Sequence, residues 1–204
     1  GDATGAIAGA GRAPPVSEQL ARDVEQLDVL IGQMLRLASV NDPALTLSAQ
    51  TVNVTNLLRR IAQDCAIEAA PREIRIAVSG PDQLLTHGDP DLLRSAFENV
   101  IRNAIRYSLE GGTVNVDASA QGKGCRVRIA DQGSGVPEEL LTRIFEPLFR
   151  VAVARDEDTG GNGIGLAIVA RVVRVHGGTV SAANARPSGL VMTIELPVKP
   201  ATPV

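Results

Sequence analysis

The chain has 204 residues, of which 44% are hydrophobic and 21% charged, so it is long enough to bury a sizeable core. A net charge of −3, with three Phe and one Tyr, argues against a nucleic-acid-binding surface, which needs positive charge and aromatic rings that stack on bases. No apolar stretch reaches the roughly 18 residues of a membrane span and no signal peptide is visible, so we expect a soluble chain without membrane contact.

The N-terminal part of the chain changes character at Ser17. Residues 1–16 are rich in Gly, Ala and Pro without periodicity and are expected to form a flexible loop. From Ser17, apolar residues recur at alternating intervals of four and three, which predicts an amphipathic helix that ends before Asn41. The apolar positions are Leu20, Val24, Leu27, Ile31, Met34 and Ala38. Such a helix packs either on its own domain or in a dimeric bundle, and the pattern leaves both open.

After Pro43 the pattern is mixed α and β. The predicted elements are, in chain order, a helix capped by Asn53 or Thr55 and running to about Ala70, a strand over 73–79, a long helix that begins at Asp89-Pro90, strands over 113–119 and 125–130 joined by a hairpin, a helix over about 163–176, and strands over 179–183 and 191–196. Because strands outnumber crossover helices, we predict an α/β fold, a two-layer sandwich of a mixed β-sheet with helices on one face. Cys65 and Cys125 match no metal-binding spacing, so we expect them to be reduced core residues of an intracellular protein.

The predicted long helix carries a polar stripe. Asn99, Asn103 and Arg106 stand at i, i+4 and i+7, so two carboxamides and a guanidinium share one face. An Asn oxygen is a hard, neutral ligand that suits a Mg²⁺ ion bound to nucleotide phosphates. The alternative is a pair of surface asparagines without a ligand.

The stretch DQGSGVP follows a predicted strand directly. Gly133 and Gly135 allow a tight turn beneath a ligand, and Asp131 at the strand end presents a carboxylate. A buried carboxylate accepts from the exocyclic amine of adenine and is left opposite the carbonyl of guanine, so it selects ATP over GTP. The alternative is an ordinary turn.

Residues 144–161 join an apolar anchor to a glycine-rich stretch. Phe145 and Phe149 are predicted to anchor the start of a long loop, in which Arg150 and Arg155 are suited to pair with phosphate oxygens if the loop is a lid. In the stretch GGNGIGLAIV, three glycines at alternate positions precede an apolar helix and either cradle a phosphate or make a turn. Neither of the two lysines lies in a P-loop motif, which excludes a P-loop NTPase.

These four stretches, in this order, resemble the N, G1, F and G2 boxes of the ATP-binding catalytic domain of bacterial sensor histidine kinases, in the superfamily shared with gyrase, the Hsp90 chaperones and MutL. The resemblance spans roughly residues 45–198, and four ordered motifs are far more specific than any single one. LDVLIGQMLRLASV, residues 27–40, resembles the second helix of the dimerisation and phosphotransfer bundle of these kinases. The resemblance implies a Bergerat-type ATP-binding fold, with residues 17–42 as a partial dimerisation helix and 43–204 as the catalytic domain.

The resemblance also implies a role for each motif residue. Asn103 would hold Mg²⁺, Asn99 would face the phosphates, and Asp131 would read adenine. The other implied nucleotide contacts are Arg106 and Tyr107 at the end of the long helix, Gly133 and Gly135 in the pocket floor, Gly161, Gly163 and Gly165 at the phosphates, and Leu166 behind them. The implied catalytic residues are Asn103, Arg150 in the F box and Arg155 in the lid. Arg106 stands where many members have lysine, whose geometry differs.

The implied reaction is transfer of the ATP γ-phosphoryl group to a histidine in a block resembling H-E-[LF]-[RK]-[TN]-P. No such block is present, and His87 and His176 are expected to be structural, so this chain alone is not expected to phosphorylate itself. The implied partners are a response regulator and a second copy of the chain in the helical bundle, and the implied location is the cytoplasmic part of an inner-membrane sensor. Two alternatives are a serine kinase of the anti-sigma type and a degenerate nucleotide-binding interaction module.

Overall fold

The computed structural model describes residues 47–151 and 162–197, together with Gly32, which is helical. The predicted loop over 1–16 and the rest of the predicted helix over 17–42 lie outside the described residues. Apart from Gly32, the described residues all lie within the predicted catalytic domain, residues 43–204.

The elements predicted between residues 53 and 196 are all present in the predicted order, with boundaries that differ by a few residues. The helices are α1 (Val54–Ala69), α2 (Pro90–Tyr107) and α3 (Gly165–Val175). The strands are β1 (Gln50–Asn53), β2 (Arg75–Ser79), β3 (Leu85–Gly88), β4 (Thr113–Gln121), β5 (Gly124–Ala130), β6 (Thr179–Asn184) and β7 (Leu190–Pro197). Short 3₁₀ turns cover Ala70–Arg72, Glu138–Leu140 and Arg143–Phe145.

The first two helices begin at side chains that cap them. The Asn53 side chain accepts a hydrogen bond from the backbone N–H of Asn56 at 3.2 Å, so Asn53 caps α1 and the alternative cap Thr55 is buried in the helix instead. The Asp89 carboxylate accepts from the N–H groups of Asp91 and Leu92 at 3.0 and 3.1 Å, which caps α2 as predicted. The Asp89 cap thus fixes the start of α2, the helix that carries the polar stripe.

The main sheet has five strands in the order β2-β4-β5-β7-β6. β2 pairs with β4 in parallel, and the other three neighbouring pairs are antiparallel, so the predicted mixed sheet is confirmed. A separate two-stranded sheet of β1 and β3, in which Gln50 pairs with Gly88, was not predicted.

The core lies between the helices and one face of the five-stranded sheet. Along β4 the buried side chains of Val114, Val116 and Ala118 alternate with exposed ones, which is the pattern of a sheet covered on one face. The predicted two-layer sandwich with helices on one face is therefore confirmed.

Cys65 and Cys125 are free thiols buried in this core, as predicted. Within the described part of the chain, none of the helices has the length and apolarity that a membrane crossing requires.

Candidate functional site

Two glycines allow the start of α3 to pack closely against α2 and against the segment that contains Leu148. A Cβ built on Gly165, the first residue of α3, would lie 2.7 Å from Asn99 Oδ1 on α2. A Cβ on Gly163, whose φ is +67°, would lie 2.8 Å from the carbonyl carbon of Leu148. Leu148 also donates its N–H to the Gly163 carbonyl at 2.8 Å. Glycine is required where another residue's atoms approach the backbone this closely, so these glycines set the spacing between the three segments.

Asp131 is held at the end of β5 by one of its two carboxylate oxygens. The side chain is buried, at 5% exposure, and Oδ1 accepts from the N–H groups of Gly133 at 2.8 Å and Leu190 at 3.0 Å. Within the described residues, Oδ2 makes no hydrogen bond. Burial raises the pKa of the carboxyl, and the two N–H donors oppose that rise. The orientation is thus fixed while one acceptor oxygen is left to a ligand.

The loop 131–136, which follows β5, packs tightly against α2 and against the end of β6. A Cβ on Gly133 would lie 2.2 Å from the carbonyl oxygen of Tyr107, the last residue of α2. Gly135 has a φ of +75°, and a Cβ there would lie 2.6 Å from Asn184 Oδ1. Both glycines therefore allow the loop to approach its neighbours, which places Asp131 beside the end of α2.

Asn184, the last residue of β6, is a contact of this loop that the sequence analysis missed. Its Oδ1 accepts from the N–H of Val136 at 2.9 Å, and its Nδ2 donates to the carbonyl of Val136 at 2.7 Å. The only sequence signal was an Asn near a predicted turn, which is too common to single out.

The two asparagines of the polar stripe are half-buried on α2. Asn99 Nδ2 donates to the backbone carbonyl of Ser95 at 2.8 Å, which turns Oδ1 towards Gly165. The Asn103 side chain makes no hydrogen bond with another described residue, so its amide is available to a ligand.

The start of α3 differs from the starts of α1 and α2. Its N-cap residue, Ile164, provides no side-chain hydrogen bond, and no acidic residue lies in the first turn. The first N–H groups of a helix have no partner within the helix, and the helix dipole makes this end positive. The turn at Gly163 therefore leads into a helix end suited to an anion.

The remaining motif residues lie around these segments. Arg106 is half-buried in the last turn of α2, Tyr107 is half-exposed, and Arg150 is exposed after the 3₁₀ turns. Leu166 packs against the core as α3 begins. Gly161 and Arg155 lie outside the described residues.

Phe145 and Phe149 both pack against the core, as the prediction of an apolar anchor requires. The Arg143 guanidinium lies 4.4 Å from the centre of the Phe149 ring. This cation–π contact fixes the residue that precedes Arg150.

Arg72 is a second residue that the sequence analysis missed. It follows α1, and its guanidinium binds the C-terminal end of α2: Nη1 donates to the carbonyls of Ile105 and Arg106 at 2.7 and 2.8 Å, and Nη2 to that of Ser108 at 2.6 Å. The last carbonyls of a helix lack partners within it, so this cation stabilises the turn that carries Arg106 and Tyr107.

The comparisons with known proteins agree with this architecture. Residues 88–200 match the family described as "Histidine kinase-, DNA gyrase B-, and HSP90-like ATPase". The signal transduction histidine-protein kinase BaeS of Escherichia coli K12 is 30% identical over 186 residues, which cover 91% of this chain and 40% of BaeS. The chain thus spans about two fifths of the length of the curated relatives it matches first.

Solved structures are similar to this chain as well. The mycobacterial sensor histidine kinase MprB is 30% identical with a TM-score of 0.65, covering 74% of this chain and 99% of the MprB chain. Full-length ShkA in complex with AMPPNP is 31% identical with a TM-score of 0.74, covering 94% of this chain and 40% of ShkA. The chain belongs to the family of histidine kinase-, DNA gyrase B- and HSP90-like ATPases, and within it carries the ATP-binding catalytic domain of a sensor histidine kinase.

Proposed function

We propose that this chain binds Mg·ATP between α2, the start of α3 and loop 131–136, and that in the complete protein it transfers the γ-phosphoryl group to a histidine of the dimerisation bundle. The observation that carries the proposal is Asp131, whose buried carboxylate is held by Oδ1 and keeps Oδ2 for a ligand. The family to which the chain belongs supports it independently.

Adenine recognition is assigned to Asp131. Its Oδ2 would accept from the exocyclic amine of adenine, whereas guanine presents a carbonyl at that position and leaves the carboxylate unpaired. Gly133 and Gly135 would form the pocket floor, and the half-exposed ring of Tyr107 would border the base and ribose.

Phosphate binding is assigned to the start of α3, whose uncapped N–H groups fit an anion. Gly161, Gly163 and Gly165 would present their backbone N–H groups to the phosphates, and Leu166 would hold the helix behind them against the core. Asn99 on α2 would support the site, and Arg106, Arg150 and Arg155 would supply positive charge.

The Asn103 amide oxygen fits Mg²⁺ because it is a hard ligand without a hydrogen bond to another described residue. The ion, when bound together with ATP, would neutralise charge on the phosphates. Among the described residues there is no group of three or more His, Cys, Asp or Glu side chains that suits a metal. Asn103 is therefore the protein ligand that we assign.

The reaction of the complete protein follows in-line phosphoryl transfer, in which a P–N bond to an imidazole nitrogen forms as the P–O bond to ADP breaks. Catalysis would depend on positioning and on charge neutralisation. The acceptor histidine is expected on a bundle helix that pairs with residues 17–42 in a homodimer. An aspartate of a response regulator is the proposed next acceptor, and the proposed location is the cytoplasmic side of an inner-membrane sensor.

Calorimetric titration with ATP, ADP and GTP, with and without Mg²⁺, tests the nucleotide site. We expect selective binding of the adenine nucleotides, and a 10- to 100-fold loss of ATP affinity in Asp131→Asn, as for a hydrogen bond to a charged group. Asp117→Asn removes an exposed carboxylate on β4 and serves as the matched control. Equal binding of ATP and GTP would overturn the assignment of Asp131.

The chemistry is tested by adding the dimerisation domain of the complete protein and γ-labelled ATP. A label that acid removes and alkali preserves would identify phosphohistidine, as proposed. An acid-stable label would indicate the serine kinase, and normal ATP binding without any label would indicate the interaction module.

A further inference from the structure

We propose that Asn184 is a positioning residue for adenine recognition, which holds loop 131–136 so that the Asp131 carboxylate meets the base in a fixed orientation. The inference rests on the proposed adenine site. It concerns a residue on β6 that lies outside the four motif stretches.

The contact between Asn184 and the loop uses both polar atoms of the amide. Oδ1 accepts from the Val136 N–H at 2.9 Å and Nδ2 donates to the Val136 carbonyl at 2.7 Å, so one side chain pairs with both backbone groups of one residue. Two bonds to the same residue fix its orientation as well as its position. The contact therefore has the same two-bond pattern as a hydrogen-bonded residue pair in an antiparallel sheet.

The other end of the same loop is held by the residues that follow β6. Leu190 donates its N–H to Asp131 Oδ1 and accepts the Asp131 N–H on its own carbonyl, both at 3.0 Å. A Cβ on Gly189 would lie 2.0 Å from the Asp131 carbonyl oxygen, so the hairpin between β6 and β7 lies directly against the start of the loop. The two ends of the loop are therefore fixed by two residues of one hairpin, Asn184 and Leu190.

The loop has little conformational preference of its own. Gly133 and Gly135 are two of its six residues, and Gly135 adopts a positive φ of +75°. Glycine has the largest backbone freedom of any residue, so the attachment at Val136 restricts many conformations of the free loop. Without Asn184, the Leu190 N–H would still donate to Asp131 Oδ1. The second donor to this oxygen, the Gly133 N–H, lies within the loop, which would no longer be attached at Val136.

The effect of losing Asn184 is expected to be specific to the base. The segments assigned to the phosphates, the start of α3 and the Asn99 face of α2, are joined to each other through Gly165. The side-chain hydrogen bonds of Asn184 go to Val136 alone among the described residues. Asn184→Ala should therefore weaken recognition of the purine amine and leave triphosphate binding nearly unchanged.

The test compares ATP with inosine triphosphate, which has the same ribose and triphosphate but a carbonyl in place of the exocyclic amine and a proton on N1. Affinities of the full chain are measured by calorimetry for wild type, Asn184→Ala and Asn184→Asp, at a temperature at which circular dichroism shows all three to be folded. Asn56→Ala is the matched control, because Asn56 is exposed on α1. For Asn184→Ala we expect ATP affinity to fall about five- to tenfold, as for one net hydrogen bond, with inosine triphosphate affinity changed less than twofold.

Asn184→Asp keeps the acceptor for the Val136 N–H and loses the donor, so its ATP preference should lie between those of wild type and Asn184→Ala. If Asn184→Ala does not fold, the ATP preference of Asn184→Asp is compared with that of wild type instead. An unchanged ATP preference in the Asn184 variants, or an equal loss for both nucleotides, would overturn the role of Asn184 while the adenine site stands. A wild-type chain that binds both nucleotides equally would instead overturn the proposed function and this inference with it.

Discussion

His176 Nε2 accepts a hydrogen bond from the backbone N–H of Asp89 at 3.0 Å, so the residue that follows α3 is joined to the residue that caps the start of α2. The other ring nitrogen, Nδ1, lies 2.7 Å from the carbonyl of Val172, which can only accept. These partners assign a neutral ring with its proton on Nδ1. The prediction that His176 is structural is therefore confirmed.

The stability of the domain should fall when the pH is lowered through the histidine range. Burial lowers the pKa of His176 in the folded chain, with opposing effects from Val172 and Asp89, so the unfolded chain takes up the proton more readily. The contribution of His176 is complete above its ordinary pKa of about 6.5 and is lost as the pH falls through the lowered folded value. Urea unfolding at pH 8 and pH 5 measures this loss. His176→Gln, whose amide does not titrate, should show a smaller difference, and identical differences would contradict the assignment.

Replacing Arg72 should destabilise the domain more than replacing an exposed arginine. Arg72→Met leaves three carbonyls at the end of α2 without their charged donor, and we expect a loss of about 2–3 kcal/mol in the free energy of unfolding. Arg72→Lys should recover only part, because an ammonium lacks the fork of a guanidinium. The control is Arg59→Met, which breaks an exposed ion pair with Asp82 and should lose less than about 1 kcal/mol. Equal losses in denaturant unfolding would show that the contact contributes little.

Gly163→Ala should impair nucleotide binding, whereas Gly111→Ala should not. Both glycines have a positive φ, +67° and +70°, so each alanine brings backbone strain of about 1–2 kcal/mol. At Gly163 the new Cβ also meets Leu148 at 2.8 Å, while at Gly111 it meets nothing within 4 Å. We expect both variants to be less stable, and only Gly163→Ala to lose ATP affinity, by tenfold or more. Equal ATP affinities, measured well below the unfolding temperature, would place Gly163 outside the site.

Removing Mg²⁺ should weaken ATP binding in the wild-type chain and have little effect in Asn103→Ala. The expectation follows from the assignment of the Asn103 amide oxygen as the protein ligand of the ion. Titrations in Mg²⁺ and in excess chelator measure the enhancement, for which about tenfold is expected in wild type. Asn115→Ala, on an exposed position of β4, is the control and should keep the full enhancement. If Asn103→Ala also keeps it, the ion is held elsewhere.

The sequence predicted those elements whose signals are local. The caps Asn53 and Asp89 marked the starts of two helices, and Gln121 to Gly124 marked a hairpin, because each signal lies within a few neighbouring residues. β1 and β3 were missed because each has four residues and gains its hydrogen bonds from a partner that is distant in sequence.

The same distinction holds for the candidate site. Asp131 and the alternate glycines belong to short motifs, so the sequence alone singled them out. Asn184 binds the backbone of a residue 48 positions away along the chain, and Arg72 binds carbonyls 33 to 36 positions away. The type of residue does not indicate which distant backbone group its side chain will bind. Finding them required the fold.

The strand order of the five-stranded sheet also has a consequence for how the domain assembles. β4 and β5 are separated by two residues, Gly122 and Lys123, and can pair early, whereas β2 meets its parallel partner β4 only after the chain has passed through β3 and α2. Closing that larger loop costs more conformational entropy before any contact between the strands is gained. We therefore expect α1 and β2 to dock late, on a β4–β5 hairpin that is already formed. The backbone amides of β2 should accordingly exchange with solvent faster than those of β5 at the centre of the sheet.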